Sequence, residues 1–179
     1  MFLFREPSKP EIQKFLARQH GTFSYRERDS SFTVDHNRIE LGHGGAAFAR
    51  AKSALRAWKM FDLPWVRLCW PTAPVEPHQA VAIAVRHFGF WSLNAARIVY
   101  VIDEPARFGF AYGTLHDHAE SGEERFSVEM LDDGSVWYDL YAFSRPRAFA
   151  ARLAYPVSRA LQRRFARDSL IAMRRAVHD

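Results

Sequence analysis

The sequence holds a single cysteine, Cys69, in 179 residues, so no internal disulfide can form. No Cys/His spacing matches a structural zinc site either. Long apolar runs are also missing. The longest clean one, Ala80 to Val85, falls far short of the ~20 residues that span a bilayer. Met1-Phe2-Leu3-Phe4 gives way at once to Arg5 and Glu6, without the apolar core of a signal peptide. A reducing, cytoplasmic setting is therefore expected. No Gly-x-Ser-x-Gly elbow, no Gly-Lys-Ser/Thr phosphate-loop ending and no Gly-x-Gly-x-x-Gly dinucleotide turn is present, so no cofactor is expected.

What is present suits one domain over residues 1–179, with an N-terminal helix and connection over 1–31 and a C-terminal helix over 145–179. Hydrophobic residues make up 48% and charged residues 25%, ordinary values. Aromatics reach 15%, with 15 Phe and 5 Trp, enough rings to fill a core or line a cavity. The net charge of +5 is unevenly placed: from Arg145 onward nine Arg face only Asp168 and Asp179, and the remainder is slightly acidic. One basic helix thus carries the whole excess. Its first reading is a solvated face, and a nucleic-acid or acidic-lipid contact is the lesser alternative. Arg outnumbers Lys 21 to 4.

Patterning supplies the elements. Ser8-Lys9-Pro10-Glu11 has the form of a capping box opening a short helix that ends by Gly21. Phe32 to Leu41 reads as a strand, Gly42 to Gly45 as a tight turn, and Ala46 to Met60 as a helix stopped by Asp62-Leu63-Pro64. Strands follow at Trp65–Trp70, Gln79–Phe88, Ala95–Asp103, Arg107–His116, Glu123–Leu131 and Ser135–Ser144. A helix then runs over Pro146–Val177, kinked or restarted near Tyr155 by Pro156. Its stripe of Val157, Leu161, Phe165, Ala172, Met173 and Ala176 presses on the sheet. A three-residue turn with Gly134 in the left-handed region sets Met130 opposite Val136, Val128 opposite Tyr138 and Phe126 opposite Leu140. Carried back through a turn at Ala119–Gly122, this register puts Ala111, Gly113 and Leu115 on the apolar face. Tyr112, Thr114, His116, Arg125, Trp137, Asp139 and Tyr141 then fall on a polar, aromatic face that is either an outer contact surface or a cavity wall.

The runs LGHGGAAFARAKSALRAWKMF, RHFGFWSLNAARIVYVIDE, YGTLHDHAESGEERF and VWYDLYAFSRP resemble a bacterial and plant domain-of-unknown-function family, number nineteen-ninety. The resemblance covers nearly everything from Phe32 onward and implies no catalytic residues. The element order is similar to the helix-grip fold of START-like and Bet v 1-like proteins. It implies an α+β architecture: an antiparallel sheet of about seven strands wrapped around a long C-terminal helix, with an apolar space between them.

The expected function is binding of a small hydrophobic or aromatic molecule in that space. His87, Trp91, Tyr112, Glu124 and Tyr138 are the candidate ligand-binding residues: rings for stacking, and an imidazole, a carboxyl and hydroxyls for orientation. Alternation sends Glu124 to the apolar face, where it would need a partner such as His87, Tyr138 or an Arg, unless it lies near water at the sheet end. A cavity enzyme of cyclase, dehydratase or hydrolase type, with His87 or Glu124 as acid/base, is the alternative, and an interaction module using the basic helix is a third. His116, His118, Glu120, Glu123 and Glu124 crowd one hairpin end, His116 and His118 on one strand face. A solvated turn explains them, and no metal is expected. Cys69, between Leu68 and Trp70, reads as a buried thiol.

Overall fold

The computed structural model describes residues 1–19, 21–26, 30–70, 72–116, 118, 120–146 and 155–178. Among the described residues, eight strands and three helices succeed one another, with a 3-10 turn at Lys59–Phe61. They are β1 (Phe2–Leu3), α1 (Lys9–Ala17), β2 (Thr33–His43), α2 (Gly44–Arg56), β3 (Val66–Leu68), β4 (Ala80–Arg86), β5 (Trp91–Glu104), β6 (Arg107–Thr114), β7 (Glu120–Met130), β8 (Ser135–Pro146) and α3 (Tyr155–His178). The main sheet is antiparallel in the order β2-β8-β7-β6-β5-β4-β3, and β1 pairs with β5. The first long strand therefore lies beside the last, and the curled sheet grips α3.

The β7–β8 register is the expected one: Phe126 faces Leu140, Val128 faces Tyr138 and Met130 faces Val136. Gly134 takes φ +84°, the left-handed conformation this turn requires. The β6–β7 register differs from expectation. Tyr112 pairs with Glu124 and Phe110 with Phe126, because β6 stops at Thr114 and the connection is longer than a tight turn. An odd shift of register exchanges the two faces of a strand. Phe108, Phe110 and Tyr112 consequently join Phe126 and Val128 in one buried cluster, while Leu115 joins a second one.

The C-terminal helix is also shorter at its start than the pattern implied. Arg145 and Pro146 still pair with β7, so the chain is in β8 where a helix was expected. Residues 147–154 of the expected helix lie outside the described residues. Pro156 sits in the first turn of α3, where its missing N–H has no intrahelical acceptor to lose. Ala166, Ser169, Ala172, Met173 and Val177 are its buried residues, whereas Val157 is exposed. At the other end, α2 begins directly at Gly44 and ends before Trp58, whose left-handed backbone turns the chain.

The concave face of the sheet is filled unevenly. At one end Phe108, Phe110, Phe126, Val128 and Tyr138 pack against Ala51 and Leu55 of α2 and Met173 and Val177 of α3. At the other, the inward positions are small or polar: Ser92 and Asn94 on β5, Thr114 on β6, Gly122 on β7, Ala142 and Ser144 on β8. Side chains of this size fill little of the space beneath α3, and a hollow is left. On the convex face, Ile12 and Phe15 of α1 cover Ala82, Ala84, Leu93 and Ala95. Phe23 and Tyr25 lie over Gly113 of β6. Elsewhere on that face Asp139 binds His36 (2.5 Å) and Arg125 (3.2 Å), and Arg38 lies 4.6 Å from the Trp137 ring centre.

Candidate functional site

The hollow is a cavity of about 600 Å3. Ile83, Val85, Leu140 and Ala142 supply its apolar sheet side, Leu161, Phe165 and Leu170 its helix side, and Phe61 and Trp65 close one flank.

Pairing of β6 with β7 places Tyr112 beside Glu124, both facing inward, and the Tyr112 hydroxyl donates to Glu124 Oε2 at 2.5 Å. Among the described residues Tyr112 is the one hydrogen-bond partner of the Glu124 carboxyl. The carboxyl touches the cavity, yet protein surrounds it. Burial pushes its pKa up to about 7; the neighbouring charges of Glu120 and Asp35 add to the rise, and the Tyr112 hydrogen bond opposes it. Burial likewise raises the Tyr112 hydroxyl well above the usual tyrosine value.

Near the β4–β5 turn, His87 Nε2 lies 2.8 Å from Ser92 Oγ, and Asn94 Nδ2 donates to the same oxygen at 3.1 Å. The imidazole stacks on Phe90, with centroids 4.7 Å apart, and burial lowers its pKa, favouring the neutral ring. His87 and Glu124 thus have separate partners, Ser92 and Tyr112, rather than each other.

A polar latch spans the cavity's edge. Arg159 of α3 donates to both carboxylate oxygens of Asp35, at 2.5 and 2.6 Å. Gln162 bonds Glu120 and Ser144, and Ser158 also bonds Glu120. These contacts pin the first turns of α3 across β2, β7 and β8.

Of the five residues singled out in the sequence, His87, Tyr112 and Glu124 line the cavity. Trp91 does not. It alternates with inward-facing Ser92 and packs with the cluster beneath α1. Tyr138 is on the concave face but in the packed end, fully buried, its hydroxyl 2.9 Å from Ser169 Oγ. Asp35, Asn94, Glu120 and Gln162 were not among the five. Their signal was a polar residue at inward positions of otherwise apolar strands, as in Asp35 and Asn37 ahead of Ile39 and Leu41.

The residues crowded in sequence at the β6–β7 turn have different surroundings and partners. His116 is exposed and lies beyond the end of β6, His118 Nδ1 accepts the Glu120 N–H (3.1 Å), and Glu123 accepts the Tyr25 hydroxyl (2.6 Å). Among the described residues no group of three or more His, Cys, Asp or Glu is arranged to hold a metal. Cys69 is partly buried, which raises its pKa. At the Gly42–Gly45 turn the Gly44 N–H is already bonded to Gly134 O at 2.8 Å, a structural use of that turn. No helix among the described residues is long and apolar enough to cross a membrane.

Solved structures share this architecture. The Zhui aromatase/cyclase from Streptomyces sp. R1128 superposes with a TM-score of 0.60 at 14% identity, covering 82% of this chain and 94% of that one. A Thalictrum norcoclaurine synthase point mutant, in complex with a transition-state analogue, gives 0.53 at 11% identity, covering 84% and 97%. At these identities the likeness establishes the helix-grip fold. Sequence relatives are much nearer. A UPF0548 protein of Deinococcus radiodurans is 41% identical over 187 residues, spanning 93% of this chain and 94% of its own. One from Dictyostelium discoideum is 36% identical over 207 residues, spanning 99% and 96%. The family described as "Domain of unknown function (DUF1990)" matches residues 18–172, and the chain belongs to that family.

Proposed function

We propose that this protein binds a small, mainly apolar molecule between the sheet and α3, with Glu124 and Tyr112 orienting its polar group and His87 contacting it from the β4–β5 end. The observation that carries this reading is a cavity of about 600 Å3 with largely apolar walls and one inward-facing carboxyl–phenol pair. Such a space suits a ligand whose buried surface contributes ~25 cal/mol per Å2, with a few polar groups selecting orientation. Two structural neighbours, an aromatase/cyclase and a norcoclaurine synthase, are enzymes on the same fold. Catalysis is therefore the second reading, favoured by a cavity-lining Glu124 poised to gain or lose a proton near neutrality. The single, partly buried Cys69 fits a reducing compartment, and we place the protein in the cytoplasm.

Titration with the neutral dye Nile red tests the binding reading. Saturable fluorescence enhancement is expected from the native protein. It should be lost in Ala142→Trp, where an indole fills the hollow, while the circular dichroism spectrum is retained. Enhancement that never saturates, or that survives in Ala142→Trp, would count against a cavity site.

A further inference from the structure

The carboxylates around the cavity are not balanced by cations within it. Asp35 is paired with Arg159. Glu120, by contrast, is held by the neutral groups of Ser158 and Gln162, and Glu124 by the neutral Tyr112 hydroxyl. Among the described residues neither has an ion-pair partner. Besides Arg159, the guanidinium groups on the helix side belong to the exposed Arg163 and Arg167, and Arg167 is committed to Asp168 at 3.0 Å. Glu124 Oε2 takes the Tyr112 bond, which leaves Oε1 for whatever enters. Aromatic rings also line the cavity: Tyr112 itself, Phe61, Phe165 and Trp65, the last with Arg164 over its ring at 4.5 Å. A cavity with negative potential, an available carboxylate oxygen and aromatic walls favours a cation with a hydrocarbon body.

We propose that the ligand is a lipophilic amine, its ammonium paired with Glu124 Oε1 and its hydrocarbon part lying between Leu140 and Phe165. This rests on the reading of the cavity as a ligand site. The groups facing Glu124 support the charge assignment. Tyr112 of β6 and Tyr138 of β8 are kept neutral by burial, Glu120 of β7 and Asp35 of β2 add negative potential, and Arg159 of α3 is spent on Asp35. An ammonium here would pull the Glu124 proton off, so binding should release a proton to solvent.

Three probes with one hydrocarbon body separate the possibilities: phenylbutylamine, phenylbutanol and phenylvalerate, titrated calorimetrically into the full chain. At about pH 7.5 the amine should bind about tenfold more tightly than the alcohol, and the carboxylate most weakly. On lowering the pH to about 5.5, amine affinity should fall about tenfold or more while the alcohol's does not. Two buffers of different ionisation enthalpy should report proton release for the amine alone. Glu124→Gln should bind amine and alcohol alike. If the alcohol binds as tightly as the amine in the native protein, or if amine affinity is independent of pH, the amine assignment is wrong while the cavity reading stands. If none of the three binds, both fail together. The pH and buffer arms use native protein, so they decide the matter even should Glu124→Gln fold poorly.

Discussion

Glu124 couples the cavity to pH. Its carboxyl titrates near 4.5 when unfolded and about 7 when folded, so the native state holds the proton more tightly. Across that interval the unfolded chain has lost its proton while the folded chain keeps it. Stability is therefore highest below about pH 4.5 as far as this group is concerned, declines as pH rises through the interval, and levels off above about 7. The loss amounts to about 3 kcal/mol. Glu124→Gln should flatten this slope in denaturant melts run from about pH 4.5 to 7.5, and an unchanged slope would assign it to another group. Tyr112→Phe should act in the opposite sense to relief. Removing the hydrogen bond that steadies the carboxylate should raise the Glu124 midpoint further, as read from its carboxyl carbon shift. At this scale the sequence was partly legible. Alternation along Glu123-Glu124-Arg125 set Glu124 inward once β7 was recognised. Its phenol partner was not legible, because Tyr112 reaches it only through a β6–β7 register that the long connection after Thr114 determines.

At the scale of elements, α3 lives two lives. Its C-terminal half is core, and its N-terminal half roofs a hollow. Met173→Ala should cost about 2–5 kcal/mol, the range for emptying a fully packed site. Leu161→Ala, whose side chain already borders open space, should cost about 1 kcal/mol or less in the same denaturation series. The Arg159–Asp35 pair holds the roof down. Asp35→Asn should cost roughly 1.5–3 kcal/mol, the worth of charge-assisted hydrogen bonds. It should also speed hydrogen exchange selectively in the first turns of α3, while protection uniform with the native protein would show that the latch does not hold the roof. Hairpins joined by short turns could be read from sequence down to register, as β7–β8 shows, because Gly134 and the apolar alternation agree. The start of α3 could not. Pro146 and Pro156 both mark breaks, and which one ends a strand and which one opens a helix depends on whether β7 extends to Glu120 to pair with the chain.

For the whole molecule, the grip of a curled sheet on one helix explains why the chain is rich in aromatics yet leaves a hollow. Phe108, Phe110 and Phe126 fill one end, and Ser92, Asn94, Thr114 and Ala142 leave the other open. Composition counted the rings but could not distribute them. Residue sizes along each strand could, once the order of strands was known. Both ends share one sheet and one helix, so we propose that residues 1–179 unfold as a single cooperative domain, with fluorescence and circular dichroism giving coincident transitions. The central claim is that the hollow takes a ligand, and native mass spectrometry of the purified protein, paired with the same sample after denaturation, tests it most directly. An added mass present only in the native spectrum, and diminished in Ala142→Trp, is the predicted result and would give the occupant's molecular weight. The bare chain mass in both spectra, unchanged after incubation with the phenylbutyl probes, would contradict it.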